Sequence, residues 1–195
     1  MTTTAPAPAR TRSSRWRVVD IVVAAVLGVA TGLLTVVAGY VSAPVWVILP
    51  IVYGLVLGAH VVPGVIAQAL LRMPWVALVT HLLAVIVASA FAPQWVGRYI
   101  GMALLVGGLQ EGVAALTRYR HWEAWRFFIS AVVVGGVLIV GMGFALDAGK
   151  LAPWALAVFY ALLILGPVLW TFVGLAIGGG LRRAGVARTT VGARR

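Results

Sequence analysis

Cysteine is absent, so disulfides and thiolate metal sites are excluded outright and the chain carries no redox-compartment signal. Acid is nearly as scarce, with four Asp and Glu against fifteen Lys and Arg. Three isolated histidines and four acids leave little from which to build a metal centre, and none is expected. Charge of either sign makes up 10% of the residues, against about 25% in an average soluble domain. No nucleophile–base pair can be assembled from these residues, which argues against an enzyme; no catalytic residue and no cofactor are expected. A phosphate loop is missing too. Gly143 stands one residue too early for GxxxxGK ending at Lys150, and Leu151 replaces the Ser or Thr that would hold magnesium. Any ATP hydrolysis must come from a partner chain.

What is abundant is apolar side chain, at 63% of residues where about 45–50% is usual. The surplus needs lipid as its solvent. Runs of roughly 18 or more apolar residues span the ~30 Å hydrocarbon core, and breaks at charge, Pro and Gly place them at 18–40, 44–71, 75–92, 96–117, 126–147 and 153–179. The predicted fold is therefore all-α, a polytopic membrane bundle of about six transmembrane helices. Residues 1–17 read as a disordered basic tail, 18–180 as the membrane domain and 181–195 as a second basic tail. The second run is the least regular, because Pro50 and Pro63-Gly64 interrupt it with His60 between them; it is either one kinked helix or two.

Placement of the basic residues decides between partners. They sit at the chain ends and between apolar runs, a topology signal and not a nucleic-acid surface. With six spans and the N-terminus inside, thirteen arginines fall on the cytoplasmic side and only Arg98 and Lys150 fall outside. Both termini are expected in the cytoplasm, and the chain in a bacterial plasma membrane. Trp16, Trp46, Trp75, Trp95, Trp122, Trp125 and Trp154 lie at or near predicted helix ends, where indole rings prefer the interface.

Glu111 is the one acid well inside an apolar run, and burying a carboxylate in a bilayer costs at least ~2.5–3.5 kcal/mol, which points to a function or, as the alternative, to a protonated or paired structural glutamate bonded to a neighbouring helix. His81, on the preceding antiparallel helix, lies at matching depth by its ~1.5 Å rise per residue, so a Glu–His contact is possible. Trp46, Tyr53, Gln94, Trp95, Tyr99 and Trp154 converge near the outer ends of helices, where aromatics sandwich a flat heterocycle or anchor the interface. Ala24, Gly28 and Gly32 line one face of the first helix and allow close approach of another helix, within the bundle or outside it. Asp20 reads as a helix-start residue.

Several of these segments, in order, carry a family resemblance. Trp16-Arg17-Val18-Val19-Asp20-Ile21-Val22-Val23-Ala24-Ala25-Val26-Leu27-Gly28 resembles the start of the YkoE family, substrate-binding S components of energy-coupling-factor (ECF) vitamin transporters. Leu57-Gly58 before Pro63-Gly64-Val65, Arg72-Met73-Pro74 with Ala77-Leu78, Gln94-Trp95, and Glu111 seven residues before Arg118-Tyr119-Arg120 extend the likeness over about residues 16–125. The resemblance implies a six-helix subunit that captures thiamine or its hydroxymethylpyrimidine precursor and docks on a transmembrane coupling protein bearing two ATPases. It further implies that Ala24, Gly28 and Gly32 meet the coupling protein, that Glu111 and His81 face the ligand, and that the outer aromatics stack its rings. From the residues alone, a proton-coupled small-molecule transporter using Glu111 is the alternative.

Overall fold

The structure, a computed structural model, describes residues 16–145 and 151–186. Lys150 and most of the two tails lie outside the described residues. The chain runs through α1 (Val18–Ile48), α2 (Tyr53–Gly58), α3 (Val62–Leu71), α4 (Val76–Phe91), α5 (Val96–Leu116), α6 (Ala124–Ala145) and α7 (Pro153–Arg183), with no strand among the described residues. Five spans are long and apolar enough to cross a bilayer, and α4, at 16 residues, is a shorter apolar helix.

α1 begins where its first turn can be closed. The Arg17 backbone N–H donates to Asp20 Oδ2 at 3.1 Å and the Arg17 side chain pairs with the same carboxylate, so Asp20 is the helix-start residue its position predicts. The helix then continues well beyond residue 40, through Pro44 to Ile48, and Pro50 opens the next span. A membrane helix tolerates an internal proline because neighbouring groups and local adjustment re-satisfy the backbone.

The second span is a single crossing. From Pro50 to Leu71 it stacks a 3-10 turn, α2, a second 3-10 turn over Ala59–Val61, and α3, a length of about 33 Å at 1.5 Å per residue. Pro63 falls in the first turn of α3, where the missing N–H would have had no partner anyway. This broken helix is the centre of the molecule, and from Leu57 to Leu71 every residue is buried by protein. α1 packs along α4, α4 along α5, α5 along α6 and α6 along α7, while α2 and α3 both lie on α7. Five helices thus surround one.

Two glycine sets permit the closest approaches. A Cβ on Gly54 would lie 2.5 Å from the backbone carbon of Leu162, and Gly166 meets the Gly54 backbone in return. A Cβ on Gly28 would lie 2.5 Å from Leu83 Cβ, and one on Gly32 2.7 Å from Val87 Cβ; Ala24 is wholly buried. The small-residue face of α1, expected from the resemblance to meet a coupling protein, is closed by α4 of the same chain. Its outer face carries Val22, Val26, Val29 and Val37, all more than half exposed. Gly32→Leu is therefore expected to lower the thermal midpoint of the isolated chain sharply, by an overpacking cost of about 1–3 kcal/mol or more, rather than to leave it intact and block uptake alone. A melt of the purified variant in detergent distinguishes the two.

Six alternating crossings bring the start of α1, the α3–α4 turn, the α5–α6 turn and the end of α7 to one end of the bundle. Arg17, Arg72, Arg118, Arg120, Arg182 and Arg183 lie there, and it is called the basic end below.

Candidate substrate site

Polar and aromatic side chains stand at three levels along the bundle axis, and the polar groups of the lower two are largely buried. At the end opposite the basic one, Trp46 stands edge-on to Tyr53 with centroids 4.9 Å apart, and Trp95 contacts both Tyr40 (5.0 Å) and Tyr99 (6.2 Å). Arg98 donates to the Tyr53 hydroxyl. Gly39 lets the Trp95 and Tyr99 rings lie against the α1 backbone.

Directly beneath is a narrow cleft with room for roughly one water molecule, lined by Thr35 of α1, His60, His81 of α4, and Tyr99, Met102 and Ala103 of α5. The Gln110 side chain fixes His81: its Nε2 donates to the Val61 carbonyl at 2.9 Å, so its Oε1 accepts from His81 Nε2–H, also at 2.9 Å. The other ring nitrogen, Nδ1, is then an acceptor. Tyr99 is 3% exposed and its hydroxyl has no hydrogen-bond partner. An unpaired hydroxyl at that depth costs on the order of 1–3 kcal/mol, which a polar ligand in the cleft would offset.

The third level lies toward the basic end and belongs to Glu111. Its Oε1 accepts from the Ala77 N–H at 2.7 Å and from Gln68 Nε2 at 3.2 Å, and its Oε2 from the Trp75 N–H at 3.0 Å. A carboxylate there caps the first turn of α4, where unpaired N–H groups and the helix dipole both favour negative charge. Gln68 Oε1 in turn accepts from Arg126 Nη2 at 3.1 Å, and that guanidinium is stacked between Trp122 and Phe127. The Tyr119 hydroxyl, in the α5–α6 turn, also reaches Glu111; burial first, then that carboxylate, pushes the phenol above its usual pKa.

Of the residues the sequence singles out, His81 and Tyr99 meet in the cleft, and Trp46, Tyr53 and Trp95 form the aromatic level over it. Gln94 sits exposed in the Pro93–Trp95 turn, and Trp154 is 67% exposed at the start of α7, so neither joins them. The expected Glu111–His81 contact is replaced: His81 bonds Gln110 and Glu111 bonds the α4 start. Thr35, Met102 and Gln110 are not among the residues the sequence singles out, and His60 enters there only as part of a break. Gln110 carried the same signal as Glu111, a polar side chain deep in an apolar run.

Residues 19–137 match the family described as "ABC-type cobalt transport system, permease component". The chain belongs to this family. A solved structure described as the crystal structure of an S-component of an ECF transporter shares its fold, with a TM-score of 0.80 over 90% of each chain at 19% identity. No curated protein matches. This permease component is a multi-pass protein of the plasma membrane and not an enzyme.

Proposed function

We propose that this permease component is the substrate-capturing S subunit of an ECF transporter, and that it takes the neutral hydroxymethylpyrimidine ring in preference to thiamine. The observation that supports the reading best is the cleft between His60, His81 and Tyr99, which offers ring-nitrogen and hydroxyl partners under an aromatic level and, having room for about one water molecule, has to widen to admit the ring. Among the described residues the only charge near it is the cation Arg98, so a thiazolium would enter without a counter-charge. Cobalt, which the family description names, would find two imidazoles there; among the described residues no group of three His, Cys, Asp or Glu side chains is placed to hold a metal ion. The arginines of the basic end support a cytoplasmic orientation for it by the positive-inside rule, with the aromatic level toward the outside. Energy comes from partners, a coupling membrane protein and two ATPases. A proton carrier at Glu111 is disfavoured, since three N–H donors hold its oxygens.

Calorimetric titration of the purified chain in detergent tests this. Hydroxymethylpyrimidine is expected to bind, thiamine at least about tenfold more weakly, and Co²⁺ not at all. His81→Ala is expected to weaken binding by about 10- to 100-fold and Tyr99→Phe by about tenfold, the worth of one buried hydrogen bond each. Saturable Co²⁺ binding with no response to either organic ligand would overturn the assignment.

A further inference from the structure

His81 lines the cleft, and a side chain outside the cleft sets what its ring offers there. Gln110 is buried, and its amide meets two elements at once: Nε2 donates to the Val61 carbonyl of the 3-10 turn, and Oε1 stands 2.9 Å from His81 Nε2 of α4. A carbonyl can only accept, so the amide has one orientation, and its oxygen in turn can only accept from the imidazole. The Nε2 position of His81 therefore carries a proton, and a neutral ring has none left for Nδ1.

Two glycines make room for this arrangement. A Cβ on Gly64, one turn after Val61, would strike Gln110 Oε1 and lie 2.8 Å from its Cδ, so glycine is what lets the amide pass where α3 meets α4. A Cβ on Gly107, one turn before Gln110, would lie 3.1 Å from His81 Cδ2, so the imidazole lies against the α5 backbone. Cδ2 and Nε2 are adjacent ring atoms, and the edge they form is the one taken up by α5. The other edge, with Nδ1, is left for the cleft.

We propose that Gln110 sets the hydrogen-bond polarity of the site: it holds His81 as an acceptor, so the cleft takes a ligand that donates N–H or O–H to Nδ1 and rejects one of the same shape that can only accept. Resting on the hydroxymethylpyrimidine reading above, the donor is the exocyclic amine of that ring. Gln110 is a positioning residue, acting through His81. An acceptor in place of the donor would set two lone pairs against each other in a buried site, a loss of about 10- to 100-fold in affinity.

Heteronuclear NMR of the full chain in detergent, labelled at the histidine ring nitrogens, reads the tautomer without any ligand, because protonated and bare nitrogens resonate far apart. The His81 signal is the one missing from His81→Ala. The wild type is expected to carry its proton on Nε2 alone, and Gln110→Met, of similar length but unable to bond, to show both tautomers. Titration gives the second readout. Hydroxymethylpyrimidine is expected to bind the wild type about 10- to 100-fold more tightly than the analogue whose amine is replaced by methoxy, which accepts and cannot donate. In Gln110→Met that preference is expected to shrink to about threefold or less. A His81 proton on Nδ1 in the wild type, equal affinity for the two pyrimidines, or a tautomer unchanged in folded Gln110→Met overturns the proposal. Should Gln110→Met not fold, the wild-type spectrum and Gly64→Ala, whose Cβ turns the amide aside, decide on their own. A wild type with the expected spectrum that binds neither pyrimidine removes the substrate assignment and supports the hold of Gln110 on His81.

Discussion

Glu111→Ala is expected to be among the most damaging single substitutions in this chain, and through folding rather than through ligand contact. Truncation leaves the N–H groups of Trp75 and Ala77 and the Gln68 amide without their acceptor in a buried site, and takes from Arg126 a counter-charge. Each unsatisfied buried donor costs about 1–3 kcal/mol, and an orphaned buried charge about 3–5 kcal/mol. A loss of stability of about 3–5 kcal/mol is the conservative expectation, enough to consume much of a typical margin. Glu111→Gln keeps the shape and one acceptor oxygen and should fall between wild type and alanine. Heating purified protein in mild detergent and following its eight tryptophans by fluorescence gives the midpoints. Ligand bound per folded molecule should stay near the wild-type value in both variants. Unchanged midpoints with abolished binding would return Glu111 to the ligand site.

The second large effect is expected at the α2–α7 contact. Gly166→Val would drive a branched side chain into the Gly54 backbone, and Gly54→Val would meet Leu162 backbone atoms that cannot rotate away. Overpacking against a flexible side chain costs about 1–3 kcal/mol; against main chain the cost is higher, because whole helices must separate. Neither variant is expected to accumulate as a monodisperse species on fluorescence-detected size exclusion. Gly112→Ala and Gly136→Ala are the matched controls, since a Cβ there meets nothing within 4 Å. They should be neutral or stabilising by up to about 1 kcal/mol from helix propensity.

Hydropathy and positive charge placed the crossings because lipid rejects charge wherever it occurs, and that signal is one-dimensional. Lipid and protein core are equally apolar, however, so nothing in Ala24, Gly28 and Gly32 says whether their neighbour is α4 or another protein. Glu111 was legible as a buried acid because its cost is local. Its partners were not, because they are backbone N–H groups at the start of α4, and every residue carries one. The end of α1 was misread for a related reason: Pro44 signals a break in water-soluble helices, yet here the helix passes through it. His60 was hidden by the Pro50 and Pro63-Gly64 interruptions around it, which drew attention to the backbone and away from the side chain that the 3-10 turn carries.

The second span is walled in by α7, which leaves the ribosome after the other described helices. Trp170 closes that contact by donating its indole N–H to the Leu55 carbonyl at 2.7 Å, across more than one hundred residues of intervening chain. Until α7 arrives, one side of α2 and α3 has no protein cover, and the turn bearing His60 and the helix bearing Gln68 are left without their final neighbours. Packing around the central helix therefore cannot be finished before α7 is in the membrane. A chain stalled before Pro153 would leave that side of α2 and α3 facing lipid.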